Sequence, residues 1–150
     1  MRLPPLAQPS ALVILLALVA ALVVAQPPAA QAVTPRELDL MAAVNEARAE
    51  LGLRPLALSQ RLRSDAEAYA GTLLASGRFV HAYLRPGTGE LLAWGSLGTM
   101  GARQIVRRWL ASPEHNALLL MPRARRIGVG IVLGLLDEER VRVAVLRIAL

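Results

Sequence analysis

The last quarter of the chain sets the strongest limit on its fold. Ile127 to Leu136 is an almost unbroken apolar run with three glycines, and Val141 to Leu150 is a second. The charged segment Asp137-Glu138-Glu139-Arg140 between them reads as a hairpin tip. The second run lacks the alternation of a half-exposed strand. Val141, Val143 and Val145 fall on one face, and Ala144, Leu146, Ile148 and Leu150 on the other. A strand that is apolar on both faces has to be covered on both. Helices on both faces of a small, mainly antiparallel sheet would do so. The expected class is therefore α/β (α+β), a three-layer α/β/α sandwich in one domain.

The segments upstream supply the helices. Thr34-Pro35-Arg36-Glu37 is a capping box with proline at the first helical position. The helix it opens should end at Gly52. Asn45 and Arg48 interrupt its apolar face, and they read as a buried polar pair tying the helix to a neighbouring loop. Pro55 keeps Leu53 to Leu56 extended. Ser59 then caps a second helix with Leu62, Ala66, Tyr69, Ala70, Leu73 and Leu74 as its apolar stripe, stopping near Ser76-Gly77. Pro86-Gly87 marks a turn in the loop that follows. Thr99 or Ser96 should cap a third helix, with Ile105 and Trp109 facing inward. Ser112 and Pro113 open a short fourth helix, and His115 lies in its first turn. A neutral imidazole there can bind a metal or accept a proton.

Residues 1–32 do not read as part of this fold. Arg2 is their only charge, Ala11 to Ala25 is wholly apolar, and Ala30-Gln31-Ala32 is a small-x-small cleavage pattern. This is the layout of a secretory signal peptide. The expected domain is then Val33 to Leu150, secreted or extracytoplasmic. The apolar run of 15 residues falls short of the ~20 that a spanning helix needs. Contact with a membrane is therefore expected only through an uncleaved signal segment.

Composition closes several routes. With no cysteine, the chain has no disulfide, thiolate zinc site or cysteine nucleophile. Its 17 basic residues are all arginine, and its formal charge is +6. Those arginines are scattered, apart from Arg123, Arg125 and Arg126, and only five aromatic residues are present to stack on bases. No nucleic-acid partner is expected, and the domain should be a monomer. The three clustered arginines read as a solvated turn that keeps the following strand edge soluble, rather than as a contact for envelope polymers or lipid head groups.

Four motifs form a larger pattern. They are Asn45-Glu46-Ala47-Arg48, Phe79-Val80-His81, Gly89-Glu90-Leu91-Leu92-Ala93, and the run from Trp109 through Ser112-Pro113-Glu114-His115 to Arg125-Arg126-Ile127-Gly128-Val129-Gly130. Together they resemble bacterial CAP domains, the SCP-like relatives of the cysteine-rich secretory, antigen 5 and pathogenesis-related proteins. The resemblance spans roughly residues 36–150 and implies the same three-layer sandwich. It also implies a cleft lined by His81, Glu90 and His115, the two histidines being the only ones in the chain. Such a cleft would hold a divalent metal, zinc, through His81 and His115, with Glu90 or water completing the shell. It would otherwise hold a small or lipid-like ligand, or an envelope component.

The alternative is a metal-assisted, peptidase-like hydrolase acting on peptides or cell-envelope polymers. The chain has no G-x-S-x-G nucleophile elbow, and a binding protein is the preferred reading over an enzyme. Three departures from the family pattern bear on the cleft. Leu91 replaces an asparagine, the His81–Glu90 segment is short, and Ala111 stands where eukaryotic members carry a second acid.

Overall fold

The structure, a computed structural model, describes residues 32–150. The expected signal peptide therefore lies, Ala32 apart, outside the described residues. The two apolar runs form the centre of the sheet. Strand β3 (Arg126–Leu136) and strand β4 (Glu139–Ala149) pair antiparallel along their whole length. Asp137 and Glu138 join them, with φ of 49° and 68°. Both dihedrals lie in the left-handed region that a tight two-residue hairpin demands, because its twist matches that of the strands.

Two shorter strands complete the sheet. Strand β1 (Ala57–Leu58) runs parallel to β3, and strand β2 (Thr88–Ser96) runs antiparallel to β4, giving the order β1-β3-β4-β2. Four helices flank it: α1 (Pro35–Ala49), α2 (Gln60–Ser76), α3 (Ala102–Leu110) and α4 (Pro113–Leu119). One core holds Leu40 and Val44 of α1, Ile105 and Trp109 of α3, and Leu119 of α4. These pack on Leu91, Val129, Ala144 and Leu146. A second core sets Ala66, Ala70 and Leu73 of α2 against Val143 and Val145. The odd and even rows of β4 thus meet different helical layers, and the three-layer α/β/α class holds.

The glycines of β3 set how closely α2 lies on the sheet. A Cβ on Gly128 would stand 2.2 Å from the Arg63 backbone nitrogen, and one on Gly130 would stand 2.1 Å from that of Glu67. Only residues without a side chain let helix backbone and strand backbone approach this far.

Polar ties join the layers where apolar packing ends. Thr34 and Glu37 form the expected capping box, and Glu37 Oε2 also accepts from Arg63 Nε at 3.2 Å. Both side chains are buried, so this pair locks the first turns of α1 and α2 together. Asn45 makes two bonds to the Leu56 backbone, at 3.2 and 2.9 Å. Arg48 donates to the carbonyls of Arg54, Leu119 and Met121. The polar pair therefore ties α1 to the β1 connector and to the end of α4.

The start of α3 departs from expectation. Its N-cap is Gly101, and Gln104 Oε1 reaches back to accept from the Gly101 N–H at 3.0 Å. Ser96 and Thr99 instead frame a 3₁₀ turn over Leu97–Thr99, where Thr99 donates to the Ser96 carbonyl. Their hydroxyls are spent within that turn. Ser112 does occupy the N-cap position of α4, but its hydroxyl makes no capping bond.

Candidate functional site

The extended segment after α2 is held against the edge strand β2 by side chains that point toward the α2 layer. The Phe79 ring stacks on Trp94, centroids 4.2 Å apart. Tyr69 of α2 donates its hydroxyl to the Val80 carbonyl at 2.7 Å. Four residues before Trp94, and so on the same face of β2, stands Glu90. Its carboxylate draws in the next turn of the segment. Oε1 accepts from the Ala82 N–H at 2.9 Å and lies 3.1 Å from His81 Nδ1. The short loop before Glu90 is thus what brings it to His81.

The second oxygen of Glu90 is also engaged. Arg147, its register partner on β4, approaches Oε2 with Nε at 3.2 Å and Nη2 at 3.1 Å. The Arg147 guanidinium lies 5.5 Å from the centre of the Tyr69 ring, a cation–π contact. Glu90 is 2% exposed in its side chain, whereas His81 is 56% exposed. Glu90 thus carries a guanidinium on one oxygen and orients the imidazole on the other. With Nδ1 donating to Glu90, Nε2 of His81 is the ring's acceptor, an assignment that follows from the hydrogen bond.

His115 lies on a different element. It is half-buried on α4, whose Leu119 belongs to the core on the other side of the sheet from α2. Leu118 of the same helix abuts Gly89, whose position alternates with that of Glu90 on β2. Among the described residues no hydrogen bond or ion pair joins His115 to His81 or Glu90. The structure joins His81 directly to Glu90. It adds Arg147 and Tyr69, which sequence reasoning passed over. The signal for Arg147 was present: a lone charge on the inward odd row of an apolar strand calls for a buried acid.

Among the described residues no group of three or more histidine, aspartate or glutamate side chains is placed to hold a metal ion. Both oxygens of Glu90 are already occupied, so it serves His81 as an orienting partner. No helix of the described residues is long and apolar enough to cross a membrane.

Comparison with known proteins agrees with this architecture. Residues 41–134 match the CAP, or cysteine-rich secretory protein, family. Pathogenesis-related protein 1C of Nicotiana tabacum is 34% identical over 79 residues, covering 53% of this chain and 46% of that protein. The chain thus matches just under half the length of that relative. An outer surface protein of Borrelia burgdorferi superposes with a TM-score of 0.63 at 22% identity, covering 79% of this chain and 95% of that one. NaASP2, solved with Zn2+, superposes with a TM-score of 0.62 at 12% identity, covering 81% and 82%. The chain belongs to the CAP family, although it has no cysteine.

Proposed function

We propose that this chain is an extracytoplasmic CAP-domain binding protein, and that His81, held by Glu90, is the group its ligand meets. One contact carries the reading: Nδ1 of an exposed imidazole is fixed on a buried carboxylate at 3.1 Å. Nε2 is left as an acceptor of fixed orientation. Such a ring takes a hydrogen bond from a small ligand or offers one position to a divalent ion, and carboxylate backing is the common partner of a metal-bound histidine. The family's secretory name and the Zn2+ in the NaASP2 structure support this reading.

The donor set limits what kind of ion fits. Closed zinc sites take four protein ligands, and catalytic ones three plus water. The described residues do not supply such a group. A zinc ion held through His81, with His115 as the chain's other imidazole, would bind weakly and exchange readily. The hydrolytic alternative has no observation in its favour.

Calorimetric titration of the purified full chain with zinc tests the proposal. The parent should bind weakly and saturably, and His81→Ala should lose that binding. Binding should also weaken on acidification, because a protonated imidazole cannot coordinate. A His81→Ala protein with the parent's affinity overturns the proposal. Unchanged affinity in His115→Ala would keep the His81 contact and remove His115 from it.

A further inference from the structure

A second site lies beyond Arg147, where three parts of the chain converge. Arg126 stands two residues before Gly128 on β3 and so faces the same side of the sheet as the glycines that meet α2. Gly128 pairs with Arg147 on β4, which makes Arg126 and Arg147 diagonal neighbours on that face. Arg61 enters from the first turn of α2, and Arg85 from the loop that leads to β2. These four arginines line one open pocket of about 430 Å³, within the range of small-molecule sites.

The charge balance of this pocket is unusual. Arg147 is matched by Glu90. Arg61, Arg85 and Arg126 are exposed, and among the described residues none has an ion pair or a side-chain hydrogen bond. The one carboxylate lining the pocket is Asp65, which has no ion pair either. Three uncompensated guanidinium groups facing one concavity repel each other, and an anion entering between them relieves that repulsion. The start of α2, with its orphan N–H groups and positive dipole end, opens on the same space and adds to the field.

From this convergence we infer that the pocket binds a multiply charged phosphate ester. A guanidinium presents paired N–H donors that match phosphate oxygens, and a single carboxylate would leave most of the three groups unmatched. Tyr83, entirely exposed at the rim, gives the pocket an aromatic edge. That edge suits the organic part of the ester, which is either a soluble molecule or a lipid whose head group carries the phosphate. The site is independent of the zinc reading, because it does not use His81 or His115.

The test uses the purified full chain with two probes. Inorganic pyrophosphate is titrated by calorimetry, and vesicles of phosphatidic acid, a phosphomonoester lipid, in phosphatidylcholine are tested by co-sedimentation. Binding should occur at one site and weaken with added salt. Arg85→Gln and Arg126→Gln should each lower affinity about tenfold, the scale of one charge-assisted hydrogen bond. Asp65→Asn should raise it. Arg140→Gln, an exposed arginine by the hairpin at the other end of β4, should bind like the parent, and so should His81→Ala.

Pyrophosphate binding without vesicle association assigns the site to a soluble ester. Vesicle association that Arg126→Gln removes assigns it to a lipid head group. Absence of binding to both probes overturns the inference. So does an Arg140→Gln protein weakened as much as Arg126→Gln, because attraction would then belong to the net charge and not to the pocket. A failure of zinc to bind leaves this result unaffected.

Discussion

Arg147 and Glu90 stand opposite each other on β4 and β2, and their side chains close a buried ion pair at 3.1 Å. The pair lies under the segment that carries His81, so it bears on stability and on the site at once. Breaking one side of a buried pair leaves an uncompensated charge, which typically costs about 3–5 kcal/mol. Arg147→Ala should therefore destabilise the domain by roughly that amount in chemical denaturation. The double variant Arg147→Met with Glu90→Leu should lose much less than the two single losses combined. Additive losses would show that the two side chains act separately.

The close seat of α2 on β3 makes a second expectation. Gly130→Ala places a methyl group 2.1 Å from the Glu67 backbone nitrogen. Backbone cannot rotate aside as a side chain does, so the helix has to lift. Overpacking of this kind costs about 1–3 kcal/mol or more. Lifting α2 also moves Tyr69 away from Val80 and Arg147. Gly130→Ala should thus lower the melting temperature and raise amide exchange in residues 79–82. A fully stable variant would mean that the helix seat is looser than the backbone distances imply.

These relationships explain which parts of the molecule were legible in sequence. The doubly apolar rows of Val141 to Leu150 demanded two covering layers, because alternation is a one-dimensional signal. The capping box at Thr34 and the Asn45–Arg48 pair were equally readable, since both act through neighbours or through a connector close by. The glycines of β3 were visible, but their role was not. It depends on which helix lies over them, and that is fixed only by long-range packing. Arg147 was missed for the same reason. Its partner Glu90 is 57 residues away, and only strand register makes them face each other. That His81 and Glu90 belong to one cleft was expected from family motifs, but their direct contact was not, and the arginine pocket joins four segments that no local pattern links. Ser96 and Thr99 were plausible caps by residue type, but the 3₁₀ turn took their hydroxyls first.

The last expectation concerns Arg48, wholly buried beneath α1. Nε donates to the Arg54 carbonyl at 3.0 Å, and Nη1 donates to those of Leu119 and Met121 at 2.8 and 3.2 Å. Burial, and then the nearby charge of Arg125, lower its pKa from the usual arginine value. It still serves as a fork whose shape matters more than its charge. Lysine carries the same charge on a single nitrogen and cannot reach three carbonyls held around a planar group. Arg48→Lys should leave at least one of those carbonyls unpaired, at a cost of about 1–3 kcal/mol. The loss should be local as well as global, because Leu119 and Met121 flank the end of α4. Native-state hydrogen exchange should show faster opening at residues 119–124 in Arg48→Lys, with the α2 layer changed only as far as global stability falls. Equal protection of that turn in both proteins would show that the charge of Arg48, and not its fork, holds α4 in place.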